Sequence, residues 1–342
     1  MSNHQAAETL PPHVQLIQMG TAYWVSRAVY AAAELKLADR LGTEARTAAE
    51  LAGAASLHAP SLHRLMRTLA SLGILTETTG QRFRLTPLGQ ALKSDAPGSA
   101  RASIVTICGR WFTDAFDNIV HSVQTGDTGF EKAHGVPIFN YLSQHPADAT
   151  LFSETMVGFH GNEPPAVAAA YDFSAFRTIV DVGGATGNML AEILLRHPEP
   201  RGVLFDLPHV VNDAAALLEA KGVDRRVTVE SGDFFKTIPA GADAYILSHI
   251  IHDWSEEQCL TILGNVRKAI KPDGRLLIVE MVLPAGDTPH PGKITDIVML
   301  TVAGGQERTE AEYAPLLAKA GFGIERVVPT GSAVSIVEAV PV

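Results

Sequence analysis

Cysteine is almost missing from this chain. Its 342 residues hold two, Cys108 and Cys259, far apart in sequence. That excludes a disulfide scaffold and fits a reducing, cytoplasmic setting. Cysteine and histidine nowhere fall at the spacing of a zinc site, so no metal is expected. A run of about eighteen apolar residues, the minimum for a spanning helix, is also lacking. The start, Met1 to Leu10, is polar and has no apolar leader core. Neither a membrane nor secretion is therefore expected. Positive charge is in deficit too, with 27 Lys and Arg against 37 Asp and Glu, a formal net charge of −10. Such a chain repels phosphate backbones over most of its surface, which argues against nucleic acid as a partner.

Apolar side chains are plentiful, at 46% hydrophobic residues. The length allows about two domains of ~150 residues. Residues 1–105 read as alanine-rich helices. In the clearest, Ala59 to Leu72, Leu62, Leu65, Met66, Leu69 and Leu72 recur at helical spacing, and Gly73 stops it. A shorter segment, Thr47 to Ala55, precedes it. A polar turn at Thr79-Gly80 splits two short apolar stretches after it. Helix, turn, helix and small hairpin outline a winged helix. Residues 106–170 read as a helical linker rich in aromatics, among them Trp111, Phe152 and Phe159. In residues 171–342 strands and helices alternate, which implies a mainly parallel sheet covered on both faces. Strands are expected at Thr178–Val182, Val203–Asp206, Val227–Glu230, Tyr245–Ser248 and Leu276–Met281. A closing antiparallel hairpin, Gly323–Val328 with Val334–Val340, brings the total to seven.

The first of these strands runs through Asp181 and Val182 into Gly183-Gly184-Ala185-Thr186-Gly187 and then a helix. Glycines there let a ligand approach the backbone closely. The spacing differs from the dinucleotide fingerprint, and no phosphate-loop lysine follows. A nucleoside carrying an amino-acid tail fits the turn as well as a pyrophosphate does. Asp206, ending the next strand, is either an acceptor for both ribose hydroxyls or a cap for the segment opening at Pro208. Asp233 can accept from an adenine amino group while Phe234 packs on the ring. His252 is either a proton acceptor at the ligand-binding edge or a histidine bonded to backbone ahead of a helix. His249 either lines a pocket or is a satisfied interior side chain.

Together Asp181–Gly187, Asp206-Leu207-Pro208-His209-Val210, Gly232-Asp233-Phe234-Phe235, His252-Asp253-Trp254 and Gly304-Gly305-Gln306-Glu307-Arg308-Thr309 resemble a known family. This is the class I S-adenosylmethionine-dependent O-methyltransferases of the plant caffeic acid and bacterial antibiotic-tailoring type, to which acetylserotonin and hydroxyneurosporene methyltransferases are similar. The resemblance spans nearly the whole chain. It implies a Rossmann-like sheet with an N-terminal winged-helix-like dimerisation domain, a homodimer, and methyl transfer from S-adenosylmethionine to a hydroxyl of a small aromatic acceptor. It assigns Gly183, Asp206 with its neighbour Leu207, Asp233 and Phe234 to the cofactor. Ser248 joins this set at a position where plant members carry a lysine, so that contact is altered. His252 matches the general base, and Glu307 and Glu280 the carboxylates flanking it, with Glu307 the first choice for holding the imidazole.

For the acceptor the candidates are Phe152, Met156 and Met299, with Trp111, His160 and Asp296 behind them. The stripe Phe152/Met156 fits a helix core equally well. Three rivals stay open on the sequence. The winged-helix outline allows a DNA-binding regulator, although the apolar face of its candidate recognition helix suits a buried interface better. A cofactor-bound hydroxylase-like relative would be expected to lack the base. A nitrogen acceptor would depend less on one.

Overall fold

The computed structural model describes residues 10–342; the polar start, apart from Leu10, lies outside the described residues. The described residues divide into two compact units, 10–113 with 145–159, and 114–144 with 160–342. The stretch 106–170, expected to be one helical linker, is thus shared between them.

The first unit opens on a 23-residue helix, Pro12–Glu34. The helix Ala48–Ala55 starts at a reciprocal cap: Thr47 Oγ1 accepts from the Glu50 N–H, and a Glu50 oxygen accepts from the Thr47 N–H at 2.7 Å. The helix Ala59–Ser71 buries Leu62, Met66 and Leu69, one side of the expected stripe, and leaves Arg64 and Arg67 exposed. Three short strands complete the wing: β1 (Arg46–Thr47), β2 (Leu75–Thr78) and β3 (Arg82–Leu85), in the order β1-β3-β2. Phe83 on β3 is fully buried with Met66, Leu69 and Leu41. Within this unit the winged-helix outline is therefore present.

In the second unit, strands and helices alternate as expected. Its strands are β4 (Thr178–Val182), β5 (Arg201–Asp206), β6 (Val227–Ser231), β7 (Ala244–Ser248), β8 (Arg275–Glu280), β9 (Val282–Leu283), β10 (Arg308–Thr309), β11 (Phe322–Pro329) and β12 (Ser335–Pro341). Seven of them form one sheet in the order β11-β12-β8-β7-β4-β5-β6, while β9 and β10 pair separately. Strands β8, β7, β4, β5 and β6 are parallel, and β12 runs antiparallel between β8 and the edge strand β11.

Both faces of the sheet are covered. Val180, Tyr245, Leu247, Leu276 and Ile278 pack toward the helices Glu256–Ala269 and Glu310–Lys319. Their strand neighbours Ile179, Ala244, Ile246, Leu277 and Val279 pack on the other face against Leu190 and Leu194. This period of two, apolar on both faces, explains why the strands read as unbroken hydrophobic runs. The connection from β4 goes to β5 on one side, and β7 lies on its other side. That reversal opens a crevice at the carboxyl ends of β4, β5 and β7. Among the described residues, no helix is long and apolar enough to cross a membrane.

Candidate active site

The turn after β4 is held to glycine by space. A β-carbon on Gly183, whose φ is +73°, would come within 2.4 Å of Ile250 Cδ1; one on Gly184 would meet Leu204 Cδ1 at 2.5 Å and Asp181 Oδ2 at 2.6 Å. Ala185 sits in the same turn with φ +51°. A side chain in this left-handed region costs roughly 1–2 kcal/mol. The extra chain entropy of glycine takes back about half of that. Ala185→Gly is therefore expected to stabilise the protein by up to about 1 kcal/mol, read as a higher urea midpoint at unchanged slope.

Asp206 closes the turn. Its Oδ2 accepts from the Ala185 N–H at 2.9 Å and its Oδ1 from the Leu207 N–H at 2.6 Å. The side chain thus ties the glycine turn to the end of β5 and does not cap the following helical turn, whose N-cap is Val210; each oxygen retains a lone pair. Asp233 Oδ1 accepts from the Phe235 N–H at 2.9 Å, and its other oxygen lies 3.1 Å from the Lys236 ammonium. The Phe234 carbonyl accepts from Asn265 Nδ2 at 2.9 Å, and its half-buried ring flanks Gly183. Exposed Leu207 and half-buried Ser248 follow or end their strands at the same edge. Beneath the turn lies Asp181, fully buried, with neither carboxyl oxygen bonded among the described residues. Burial and the nearby Asp206 raise its pKa to about 7. A buried carboxyl without a partner is costly, and a ligand ammonium would supply one. The set of carboxylate acceptors fits a nucleoside joined to an amino acid.

At the end of β7 the chain makes a short 3₁₀ turn, Ile251–Asp253, which carries His252. The imidazole is 7% exposed. Its Nδ1 lies 2.8 Å from Glu307 Oε1, and Asp253 Oδ1 stands 3.7 Å from Nε2. Glu280 does not touch the ring. It accepts from the backbone N–H of His252 at 3.0 Å and from the Tyr313 hydroxyl. The two flanking carboxylates thus do different work, one on the ring and one on the turn. The buried Arg308 also anchors that turn, donating to the Ile251 carbonyl at 3.2 Å. Asp296, a candidate for acceptor contact, accepts from the Glu307 N–H at 2.8 Å and so positions it. Burial opposes the imidazolium, but the carboxylates of Asp253, Glu307 and Glu280 outweigh it and lift the His252 pKa to about 10.

Met299 is buried at the start of a π-helical turn, Met299–Ala303, that packs against the turn carrying His252. Phe152 and Met156 belong to the first unit, half-buried on the helix Pro146–His160, and Trp111 packs edge-on to Phe112 in that same unit. A concavity of about 910 Å³ lies elsewhere in the second unit, along 282–290 and 309–314, and includes neither His252 nor the glycine turn.

Comparison with known proteins gives this arrangement its family. Residues 116–323 match the O-methyltransferase domain, and residues 17–95 match the O-methyltransferase dimerisation domain. The chain belongs to the O-methyltransferase family. It is 43% identical over 342 residues, the whole of both chains, to the phenazine O-methyltransferase PhzM of Lysobacter antibioticus. The crystal structure of LaPhzM superposes with a TM-score of 0.92 at 44% identity, covering 97% of this chain and 100% of that one. A second solved structure, NcsB1 from neocarzinostatin biosynthesis, holds S-adenosylmethionine and 2-hydroxy-5-methyl naphthoic acid. It matches with a TM-score of 0.82 at 33% identity, over 93% of this chain and 96% of that one.

This O-methyltransferase uses S-adenosylmethionine. Sequence reading passed over several residues around its candidate base. Tyr313 and Arg308 looked like ordinary helix and strand residues, and only the fold shows that they hold the turn at Ile251–Asp253. Asp253 stands in the His252-Asp253-Trp254 motif, but nothing in the sequence marks its approach to Nε2. Glu163 carried no signal, since its partner His249 lies 86 residues on.

Proposed function

We propose that this O-methyltransferase methylates a hydroxyl of a small aromatic molecule, that His252 is the general base, and that the protein acts as a homodimer. One observation carries the reading: a buried imidazole whose Nδ1 is tied 2.8 Å from a buried carboxylate, Glu307. S-Adenosylmethionine, when bound, supplies a methyl group made electrophilic by a sulfonium. A phenol, with a pKa near ~10, attacks poorly until its proton leaves. With Nδ1 committed to Glu307, the proton passes to Nε2, and the carboxylates stabilise the imidazolium that forms. Gly183, Asp206, Leu207, Asp233, Phe234 and Ser248 make up the cofactor set, with Asp181 beneath it. The naphthoic acid ligand of NcsB1 supports an aromatic acceptor. Met299 is the acceptor contact within the second unit. Phe152 and Met156 keep the role the sequence gives them, to be tested by substitution against acceptor KM.

The homodimer reading rests on the dimerisation-domain match and on the helix Pro12–Glu34. There Leu16, Met19 and Trp24 are about 70% exposed and Ile17 and Tyr23 about 60%. A contiguous apolar face of this kind calls for a partner surface. No role for nucleic acid or membrane is assigned, in keeping with the acidic balance.

A panel of phenols, assayed by release of S-adenosylhomocysteine, tests the activity. Turnover of none, with turnover of aryl amines instead, would overturn it. The pH dependence offers a second check. The base must be unprotonated, and its pKa is raised in the free enzyme, so kcat/KM is expected to climb from pH 7 into the alkaline range. Glu307→Gln removes one of the lifting charges and should move that limb to lower pH while lowering the plateau. A limb that stays in place would show that Glu307 does not govern the ring.

A further inference from the structure

Next to the base, and not used by it, lies a second cluster of titratable side chains. Glu163 is 5% exposed. Its Oε2 is 3.0 Å from His160 Nδ1 and 2.6 Å from His249 Nε2. The two imidazole rings stand 3.9 Å apart between centroids. One donor atom from each of the three residues lies within 4.8 Å of the other two. We propose that His160, Glu163 and His249 form a binding site for a divalent transition-metal ion of the zinc class.

Two features favour this over a plain hydrogen-bonded network. The first is convergence: both imidazoles meet a single carboxylate oxygen, whereas a network would spread over both oxygens. Tetrahedral zinc takes His nitrogen and carboxylate oxygen at roughly 2.0–2.2 Å, and three protein ligands with an open fourth position is a stable arrangement. Ligands about 2.1 Å from a tetrahedral ion stand about 3.4 Å apart, so Glu163 Oε2 must move away by about 0.4 Å from His160 Nδ1 and by about 0.8 Å from His249 Nε2 to admit one. The second is backbone strain. His249 sits at φ +53°, in the region that disfavours any side chain, and it does so at the end of β7. Such strain persists where the position of a side chain matters.

The protonation states agree with ligation. The burial of Glu163 is outweighed by the two histidines, which bring its pKa to about 2, while burial takes that of His249 to about 4. Metal binding uses the carboxylate in its ionised form and the imidazoles in their neutral form. Two imidazoles with a single carboxylate suit zinc, nickel or copper better than magnesium or calcium. The His249 and His252 rings are 5.2 Å apart, which gives metal availability a direct route to the base. The site is offered as a modulator of methyl transfer and takes no part in the transfer itself.

Titration of the full-length protein with Zn²⁺ against a chromophoric chelator, without cofactor, tests the proposal. We expect one ion per chain in the wild type, with affinity at least tenfold weaker in Glu163→Gln and in His249→Gln. His249→Cys loaded with Co²⁺ should show a sulfur-to-metal charge-transfer band that the wild type lacks, which reports ligation directly. Thermal melts establish that each variant is folded. Zinc binding equal in wild type and Glu163→Gln, or a His249→Cys protein without the band, would overturn the site. Neither result bears on methyl transfer.

Discussion

His252→Gln is expected to lower kcat by roughly 10²–10⁴-fold, the usual worth of general-base help. Affinity for S-adenosylmethionine should hardly change, because the glycine turn, Asp206 and Asp233 follow other strands. Glutamine keeps a polar group beside Glu307 but cannot take a proton from a phenol. The backbone bond from position 252 to Glu280 survives the change, so the turn at 251–253 stays anchored. Burst-free steady-state kinetics together with cofactor titration would separate the two effects. Retention of the full rate would sink the base assignment and point to a nitrogen acceptor. Loss of cofactor binding along with rate would show a wider structural failure. The residual activity should come from orientation alone, where effective molarities reach ~10⁵ M or more.

Much of the second unit was legible because its signals are local. The unbroken apolar runs of β4, β7 and β8 and the glycines after β4 each act within a few residues. The winged-helix outline could be read for the same reason: Leu62, Met66 and Leu69 announce a buried stripe, and Gly80 with Gln81 makes the turn. The site was legible as far as motifs carry it. That His252 and Glu307, 55 residues apart, share a hydrogen bond followed from family resemblance, not from spacing. The resemblance puts Glu307 first for holding the ring, as the structure has it, but the role of Glu280 on the backbone could not be read. Both are buried carboxylates near one histidine, and only the path of β8 sends Glu280 to the backbone N–H and to Tyr313. Likewise Asp296 offers no hint in sequence that it holds the Glu307 N–H. Long-range pairings of polar side chains have no periodicity, and so leave no trace in a single chain.

Gly305→Ala should be nearly as damaging as loss of the base itself, although Gly305 carries no chemistry. A β-carbon there would lie 1.9 Å from the His252 carbonyl oxygen and 2.6 Å from the Asp253 carbonyl carbon. Both obstacles are backbone, so no rotamer change relieves them. The segment leading to Glu307 and the turn carrying His252 must then separate by more than an ångström to reach ordinary contact. Overpacking of this kind costs roughly 1–3 kcal/mol. In a domain of ~150–250 residues that is about 2–4 °C in Tm per kcal/mol. The larger effect is on geometry: misplacing a catalytic group by ~1 Å can cost about 10²-fold in rate. We expect kcat to fall by about that factor while the cofactor still binds. Gly304→Ala is the control. Gly304 has φ +85°, so alanine is strained there, but its β-carbon would meet only Thr128 Cγ2, at 3.2 Å. It should lose comparable stability and much less rate. Equal losses of rate in the two variants would mean that the contact of Gly305 with the His252 carbonyl does not set the alignment of base and carboxylate.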